Sequence, residues 1–181
     1  VAQAIEGGLS PEKMAALREL PIEWHCIGPV QSNKTRLVAE NFHWMHTVDR
    51  IKIAQRLSEQ RPAGMPALQV CLQVNVDGGA NKSGVQPDEV LELARSVATL
   101  PRLKLRGLMS IPEPAPDFVA TCALFMRVKA LFDGLNAEGL SLDTLSMGMS
   151  TDLEAAIHSG STMVRVGTAI FGGRTRPISS A

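Results

Sequence analysis

The sequence predicts an α/β protein in which parallel β-strands alternate with helices. Two observations lead to this prediction. Six short apolar runs are each bounded by polar, Gly or Pro residues, which is typical of buried strands. Helical stretches separate these runs, and neighbouring parallel strands need such crossover connections. The chain contains no repeat, low-complexity segment or linker, so we expect residues 1–181 to form a single domain.

The elements follow in order along the chain. The apolar runs predict strands at 23–30, 44–49, 67–76, 105–112, 144–149 and 163–171. Between them, helices are predicted at 34–41, 50–61, 87–99, 117–138 and 152–159. The last helix opens with the capping-box pattern T-D-L-E at 151–154.

Two closures are common for such a sheet: the open doubly wound sheet and the (β/α)8 TIM barrel. The open sheet usually carries an early G-x-G-x-x-G turn with an acidic residue about 20 positions later. This sequence contains no such turn, which favours the barrel. Its 181 residues are slightly short of a complete barrel of roughly 200 to 250 residues.

Composition narrows the function classes. The 18 Lys and Arg residues balance the 18 Asp and Glu residues, which argues against a nucleic-acid or anionic-membrane partner. No apolar run approaches the roughly 20 residues of a membrane helix, and residues 1–10 lack the features of a signal peptide. The three cysteines are odd in number and widely spaced, which suits reduced core thiols. We expect a cytoplasmic monomer.

Arg165 is the most unusual residue of the last strand. Alternation places Met163, Arg165 and Gly167 on one face of that strand. A buried guanidinium needs a carboxylate, a carbonyl or a ligand acceptor. A carboxylate partner alone would make Arg165 structural, but the adjacent Gly167 and Thr168 favour a ligand. Gly167 allows close backbone approach, and Thr168 adds a hydroxyl donor.

The strand before it ends at a turn flanked by Ser146 and Gly148. The hydroxyl, together with free N–H groups at the start of the next helix, can hold an anion. In TIM barrels the recurrent phosphate site lies in the loops after the last two strands. The two segments together predict a phosphate site, although each alone also fits an ordinary glycine turn before a capped helix.

Other motifs carry weaker signals. A lone histidine in an apolar strand, such as His25, is more often a core residue than a ligand-binding one. The spacing of His43 and His46 resembles a metal pair, but no further ligand completes it, so we predict no metal site. The loop with Lys82 and Ser83 lacks a glycine that a phosphate-binding P-loop requires. No hydrolase or protease motif is present, and we assign no catalytic residue.

Four segments, taken in order, resemble the pyridoxal-phosphate homeostasis protein family, also called the YggS or proline synthase co-transcribed family. They are WHCIGPVQSNKTR at 24–36, LQVNVDGGANKSG at 72–84, RGLMSIP at 106–112 and LSMGMSTDLEAAIHSGSTMVRVGTAIFG at 145–172. The resemblance implies a (β/α)8 barrel of the alanine racemase N-terminal-domain type. It also implies that pyridoxal 5'-phosphate (PLP) binds at the C-terminal ends of the strands.

Residue roles follow from the resemblance by position. It implies that the phosphate is held at the ends of the last two strands, by Ser146, Gly148, Gly167 and Thr168. Arg165 would face the pyridine nitrogen and disfavour its protonation, which weakens the ring as an electron sink. The ring would be lined by His25, Asn75 and Met109.

The resemblance implies a PLP-binding protein that stores the cofactor and delivers it to PLP-dependent apoenzymes, without catalysis of its own. One alternative is a PLP-dependent racemase-like enzyme, which would need a second base, commonly a tyrosine, and a further domain. The sequence contains no tyrosine. A barrel that binds another phosphate ligand is a further alternative, but it would leave Arg165 and the length of the motif match unexplained.

The sequence departs from the family at one important point. Family members carry a Schiff-base lysine in a first strand that resembles V-S-K-T-K-P, followed by a strand with G-E-N-Y, and neither segment occurs here. We therefore expect about six of the eight strands, with two open sheet edges, as in a fragment or partial gene model. The family lysine is absent from this chain, and Lys34 and Lys82 are the candidates to replace it.

Overall fold

The computed structural model describes residues 20–78 and 83–172. Its sheet consists of β1 (His25–Cys26), β2 (Trp44–Val48), β3 (Leu68–Gln73), β4 (Leu103–Met109), β5 (Thr144–Met149) and β6 (Met163–Arg165). The helices are α1 (Thr35–Asn41), α2 (Ile51–Gln60), α3 (Val90–Ala98), α4 (Phe118–Ala137), α5 (Leu153–His158) and α6 (Thr168–Phe171), with a 3-10 turn at Ser32–Lys34. No helix in these ranges combines the length and apolar character needed to cross a bilayer.

The six strands lie side by side in chain order, and every neighbouring pair is parallel. They form a curled half-barrel, which confirms the predicted parallel α/β architecture. Within the described residues, β1 and β6 form the two sheet edges. All six C-terminal strand ends therefore face the same rim of the half-barrel.

The main core lies between the convex face of the sheet and the helices. Strand side chains such as Val70, Leu108 and Leu145 pack there against helix residues such as Leu57 and Phe125. These five side chains are at most 1% exposed. A smaller cluster on the concave face consists of Trp44, Cys71, Met109 and Met163. The two clusters follow from the alternation of strand side chains between the two faces of the sheet, interrupted by register shifts such as the one between Val70 and Cys71.

Both edge strands are shorter than predicted. β1 ends at Cys26, before Gly28 with φ +123° and Pro29, which lacks the N–H that a sheet ladder needs. β6 ends at Arg165, and residues 168–171 form the short helix α6 instead of continuing the strand. The predicted strand at 163–171 was therefore wrong in its second half.

The capping box predicted at 151–154 does not form. The N-cap of α5 is Asp152, and its side chain makes no capping bond to the helix. Its Oδ1 instead accepts a hydrogen bond of 2.5 Å from the backbone N–H of Met149. The carboxylate therefore closes the turn after β5.

β4 and β5 approach each other too closely for a side chain at Gly107. A Cβ added there would lie 1.7 Å from the carbonyl oxygen of Thr144. Gly107 is paired in register with Thr144, so the sheet needs glycine at this point.

Arg61 is a buried cation whose hydrogen-bond partners among the described residues are all backbone carbonyls. Arg61 is the first residue after α2, and it is 1% exposed. The guanidinium donates to the carbonyl oxygens of Ala39 and Phe42, both at 2.7 Å, and of Pro66 at 2.9 Å. It therefore joins the end of α1, the end of α2 and the approach to β3.

We expect Arg61→Met to lower the free energy of unfolding by about 3 kcal/mol. The methionine keeps the apolar stem but leaves buried carbonyl groups without their charged donor. Chemical denaturation measures the change. Arg36→Met on α1 is the control, because Arg36 is exposed and its ion pair within the described residues is with Glu40 at 3.4 Å; it should change stability by about 0.5 kcal/mol or less. Equal losses in both variants would contradict this role for Arg61.

Candidate functional site

A cavity of about 610 Å³ opens on the concave face at the C-terminal rim of the strands. Its walls are mostly apolar and include Ile27, Ile111, Met149, Met163, Val164 and Val166. Three polar side chains and one glycine complete the lining: His25, His46, Arg165 and Gly167. Apolar walls with a few convergent polar groups are typical of sites for small organic ligands.

Arg165 ends β6 and is held by neutral acceptors. One guanidinium nitrogen, Nη1, donates to the carbonyl oxygen of Ser146 at 2.6 Å and to its Oγ at 2.8 Å. The other, Nη2, donates to the carbonyl oxygen of Ser110 at 3.0 Å. Burial lowers the pKa of Arg165, while the charge of Asp152 acts in the opposite direction. Among the described residues no carboxylate forms a salt bridge with Arg165, so its positive charge is available to a ligand.

Two histidines from neighbouring strands lie next to Ser146. His46 on β2 is 0% exposed, and its Nε2 lies 2.8 Å from Nδ1 of His25 on β1. Its Nδ1 lies 2.8 Å from Oγ of Ser146. Burial, and then the charges of His25 and Arg165, lower the pKa of His46 to about 4. His46 is therefore neutral at pH 7.

Trp44 lies beneath the two histidines. Its ring stacks on His25 with the ring centroids 5.2 Å apart and an angle of 8° between the planes. On another side, the guanidinium of Arg106 lies 4.8 Å from its ring centroid. Arg106 is in turn held by Asp143 through bonds of 2.8 to 3.1 Å. The Trp44 indole N–H is buried and has no partner among the described residues.

Gly148 and Gly167 shape the two loops at the rim. Gly148 has φ +96°, and a Cβ added there would lie 2.4 Å from the Cβ of Ala156. The absence of a side chain therefore lets α5 pack against the end of β5. Gly167 and Thr168 are exposed where β6 meets α6. The backbone N–H of Ala169 donates to Ser150 Oγ at 3.2 Å, which joins these two loops.

The structure brings together only some of the predicted site residues. His25, Arg165 and Gly167 line the cavity. Ser146 is 0% exposed, lies behind the cavity wall and accepts a hydrogen bond from Arg165. Direct contact with a phosphate would compete with its bonds to His46 and Arg165. The assignment of Ser146 to the phosphate stays a prediction.

Asn75 and Met109 do not line the cavity. Met109 is 0% exposed in the inner cluster, and Asn75 is 4% exposed at the loop after β3, where its Oδ1 accepts from the N–H of Gly78 at 3.1 Å. Their contact with a ring stays a prediction. Lys34 lines a different cavity beside Cys26. Lys82 lies outside the described residues.

His46 is the site residue that the sequence reasoning missed. The sequence places it in a metal-like pair with His43, whose Nδ1 instead accepts a hydrogen bond of 2.9 Å from the Trp24 N–H. The parallel register pairs His25 with Trp44, so His46 lies two residues further along, on the same face as His25. A prediction of the pairing register between β1 and β2 would therefore have identified His46. The described residues contain no group of three or more side chains suited to a metal ion.

We expect acid to destabilise the fold through His46. Its folded pKa of about 4 lies below the ordinary value of 6.5, so the unfolded chain binds more protons between these two pH values. Stability should therefore be lost as the pH falls from 6.5 towards 4, by up to about 3 kcal/mol. Urea unfolding at several pH values measures this loss. His46→Gln should flatten that pH dependence, whereas His158→Gln, at an exposed position, should not; an unchanged slope in His46→Gln would contradict the prediction.

Comparison with known proteins agrees with this architecture. The family profile described as alanine racemase, N-terminal domain, matches residues 6–175. The pyridoxal phosphate homeostasis protein of Pseudomonas aeruginosa is 62% identical over 162 residues, which cover 90% of this chain and 69% of that relative. The protein of the same name from Vibrio cholerae is 59% identical over 156 residues, which cover 86% and 66%. The chain thus spans about two thirds of the length of these relatives.

The solved structures of PipY from Synechococcus elongatus PCC7942 show the same fold. Without PLP, PipY matches with a TM-score of 0.80 and 36% identity, covering 89% of this chain and 76% of PipY. With PLP bound, it matches over the same shares with a TM-score of 0.78 and 34% identity. The half-barrel is thus an incomplete barrel of the predicted type. The chain belongs to the alanine racemase N-terminal-domain family and, within it, to the pyridoxal phosphate homeostasis proteins.

Proposed function

We propose that this chain binds PLP in the cavity at the C-terminal rim and takes part in intracellular PLP homeostasis, by storing and delivering the cofactor without catalysing a reaction. The names of the relatives and the PLP-bound PipY structure support the cofactor. The observation that carries the proposal is Arg165, a partly buried cation held by neutral acceptors at the wall of a largely apolar cavity.

The residues present fit the chemistry of PLP. Met149, Met163 and Val166 provide apolar contact for a flat ring. A guanidinium has only donors, so a pyridine nitrogen opposite Arg165 would accept a hydrogen bond and remain unprotonated. An unprotonated ring withdraws electrons weakly. This property fits a carrier or a limited racemase-like chemistry.

The phosphate end of the proposed site lies at the rim loops. Gly148, Gly167 and Thr168 belong to the ends of the last two strands, as the phosphate-site prediction requires. No atom lies within 4 Å of a Cβ added at Gly167, so there is open space beside its backbone. Thr168 is exposed and offers its hydroxyl. Ser146 contributes indirectly, by fixing Arg165.

Bound PLP supplies an aldehyde that reacts with amines and a ring that draws electrons. No lysine lines the cavity within the described residues. We therefore expect this chain to hold PLP by non-covalent contacts. Borohydride reduction followed by mass spectrometry distinguishes the two modes, since only a lysine-linked cofactor would add a stable mass to the chain.

The racemase alternative would need a group in the site that accepts a proton from the substrate. Among the described residues, the cavity lining offers His25 and His46 for this task, and both nitrogens of His46 are engaged in hydrogen bonds. We propose no catalysis on this basis. Racemisation of alanine by the PLP-loaded chain, monitored by chiral chromatography, would support the alternative.

Delivery is the remaining part of the proposal. A cytoplasmic monomer that holds PLP non-covalently can release it to PLP-dependent apoenzymes. Mixing the PLP-loaded chain with an apo-aminotransferase should restore aminotransferase activity faster than dialysis of the complex alone releases PLP. Size-exclusion chromatography with light scattering of the PLP-loaded chain alone reports whether the donor is a monomer.

We expect Arg165→Ala and Thr168→Val to affect PLP differently. Arg165→Ala should change the absorbance spectrum of bound PLP, because it removes the cation beside the ring nitrogen. Thr168→Val should weaken binding about tenfold with little spectral change, since one hydrogen bond to a charged group is lost. Absorbance titration with PLP measures both effects.

Arg127→Ala serves as the control, because Arg127 is exposed on α4, away from the cavity lining. It should leave both the spectrum and the affinity unchanged. A folded wild-type chain that binds no PLP would refute the proposed function. Equal effects of Arg165→Ala and Arg127→Ala would refute the assignment of Arg165.

A further inference from the structure

We propose that Arg165, Ser146 and His46 form a one-way hydrogen-bond relay that fixes His25 as a donor, through its Nε2–H, to an acceptor atom on the ring of the bound ligand. The proton positions follow from the residues of this chain alone. The identity of the ligand rests on the proposed function. In this relay Arg165, Ser146 and His46 are positioning residues, and His25 is the group that contacts the ligand.

The direction of the relay is set at Arg165, because a guanidinium can only donate. Its Nη1 lies 2.8 Å from Ser146 Oγ, so this oxygen accepts. The hydroxyl still has one proton to donate, and Ser146 is 0% exposed. Within the described residues the partner in reach is Nδ1 of His46 at 2.8 Å. Since buried hydroxyl groups are rarely left unpaired, the Ser146 O–H donates to His46.

The hydrogen bond from Ser146 decides which nitrogen of His46 carries the proton, and therefore the direction of the hydrogen bond to His25 on the neighbouring strand. Because Nδ1 accepts, the proton of the neutral ring lies on Nε2. A second proton on Nδ1 would break the bond to Ser146 and would place a cation beside Arg165. Nε2 lies 2.8 Å from Nδ1 of His25, so His46 donates and His25 accepts.

His25 therefore carries its own proton on Nε2. Its ring lines the cavity and is held in place by stacking on Trp44. If Nδ1 of His25 carried a proton, its N–H would point at the Nε2–H of His46, and the hydrogen bond between the two rings would be lost. Burial, which also lowers the pKa of His25, acts in the same direction. The Nε2–H has no partner among the described residues, so a ligand acceptor can complete it.

The reverse arrangement is unfavourable. If His25 donated to His46, then His46 would donate through Nδ1 to Ser146. The Ser146 oxygen would accept from both His46 and Arg165, and its own proton would have no acceptor among the described residues. The fixed donor character of Arg165 thus decides the tautomers of two histidines, the further of which is on the opposite edge strand of the described sheet.

Long-range 1H–15N NMR of the histidine rings tests the relay in the ligand-free chain. We expect His25 and His46 to be neutral Nε2–H tautomers at pH 7. Ser146→Ala should remove the preference at His46, and Ser146→Thr should restore it. His43 is the internal control, because its Nδ1 accepts from the Trp24 backbone and does not depend on Ser146.

The wild-type spectrum alone is decisive, even if a variant fails to fold. An Nδ1–H tautomer or a charged ring at His25 would overturn the relay. A folded Ser146→Ala variant with unchanged tautomers would overturn the role of Ser146.

Titration of the wild-type chain with PLP tests the contact with the ligand. The Nε2 resonance of His25 should shift, and those of His43 and His158 should not. If absorbance shows saturation with PLP while His25 does not shift, the ligand contact is refuted. If PLP does not bind at all, the proposed function fails together with the ligand contact, whereas the tautomers report on the relay independently.

Discussion

The arrangement of the site depends on a partly buried guanidinium without a carboxylate partner among the described residues. The oxygens of Ser146 and Ser110 accept three hydrogen bonds from Arg165 without cancelling its charge. A carboxylate in this position would neutralise the charge before a ligand arrived. Neutral acceptors leave the charge of Arg165 available to a ligand. The same charge disfavours a second cation close to it.

That environment explains why the neighbouring histidine is neutral. His46 is buried next to Arg165, so protonation would add a second positive charge to a poorly solvated region. Only neutral rings can exchange directional hydrogen bonds in this space. Beneath them, Trp44 separates the site from Arg106, whose charge is balanced by Asp143. On the concave face, the charge of Arg106 is thus paired with a carboxylate, and the charge of Arg165 is not paired with any carboxylate of the described residues.

Much of the fold could be predicted because it depends on local patterns. Apolar runs and intervening helices gave six parallel strands in chain order, as the structure has them. The lengths of the edge strands could not be predicted, because they depend on backbone geometry near Gly28 and Gly167. An edge strand forms hydrogen bonds with one neighbouring strand, so a small change in its backbone geometry is enough to end it.

The site was predicted less completely, for a different reason. The sequence identified Arg165 and Gly167 as neighbours on one face of a strand, since they are two positions apart along the chain. The partner of Ser146, in contrast, is His46, which lies 100 residues earlier. No spacing rule connects such positions. Strand order and register decide which of these residues meet, and they determine whether Ser146 faces a ligand or a side chain.

Arg61 has a consequence for how the molecule opens. Its three backbone contacts join residues 39, 42 and 66, which lie on both sides of β2 and α2. Segments that share such a link separate together or not at all, so the region from α1 to the start of β3 forms one cooperative unit of local unfolding. β2, which carries His46, lies within that unit. Brief exposure of its amides to solvent therefore requires the simultaneous loss of all three bonds to Arg61, which gives the histidine side of the site slow hydrogen exchange.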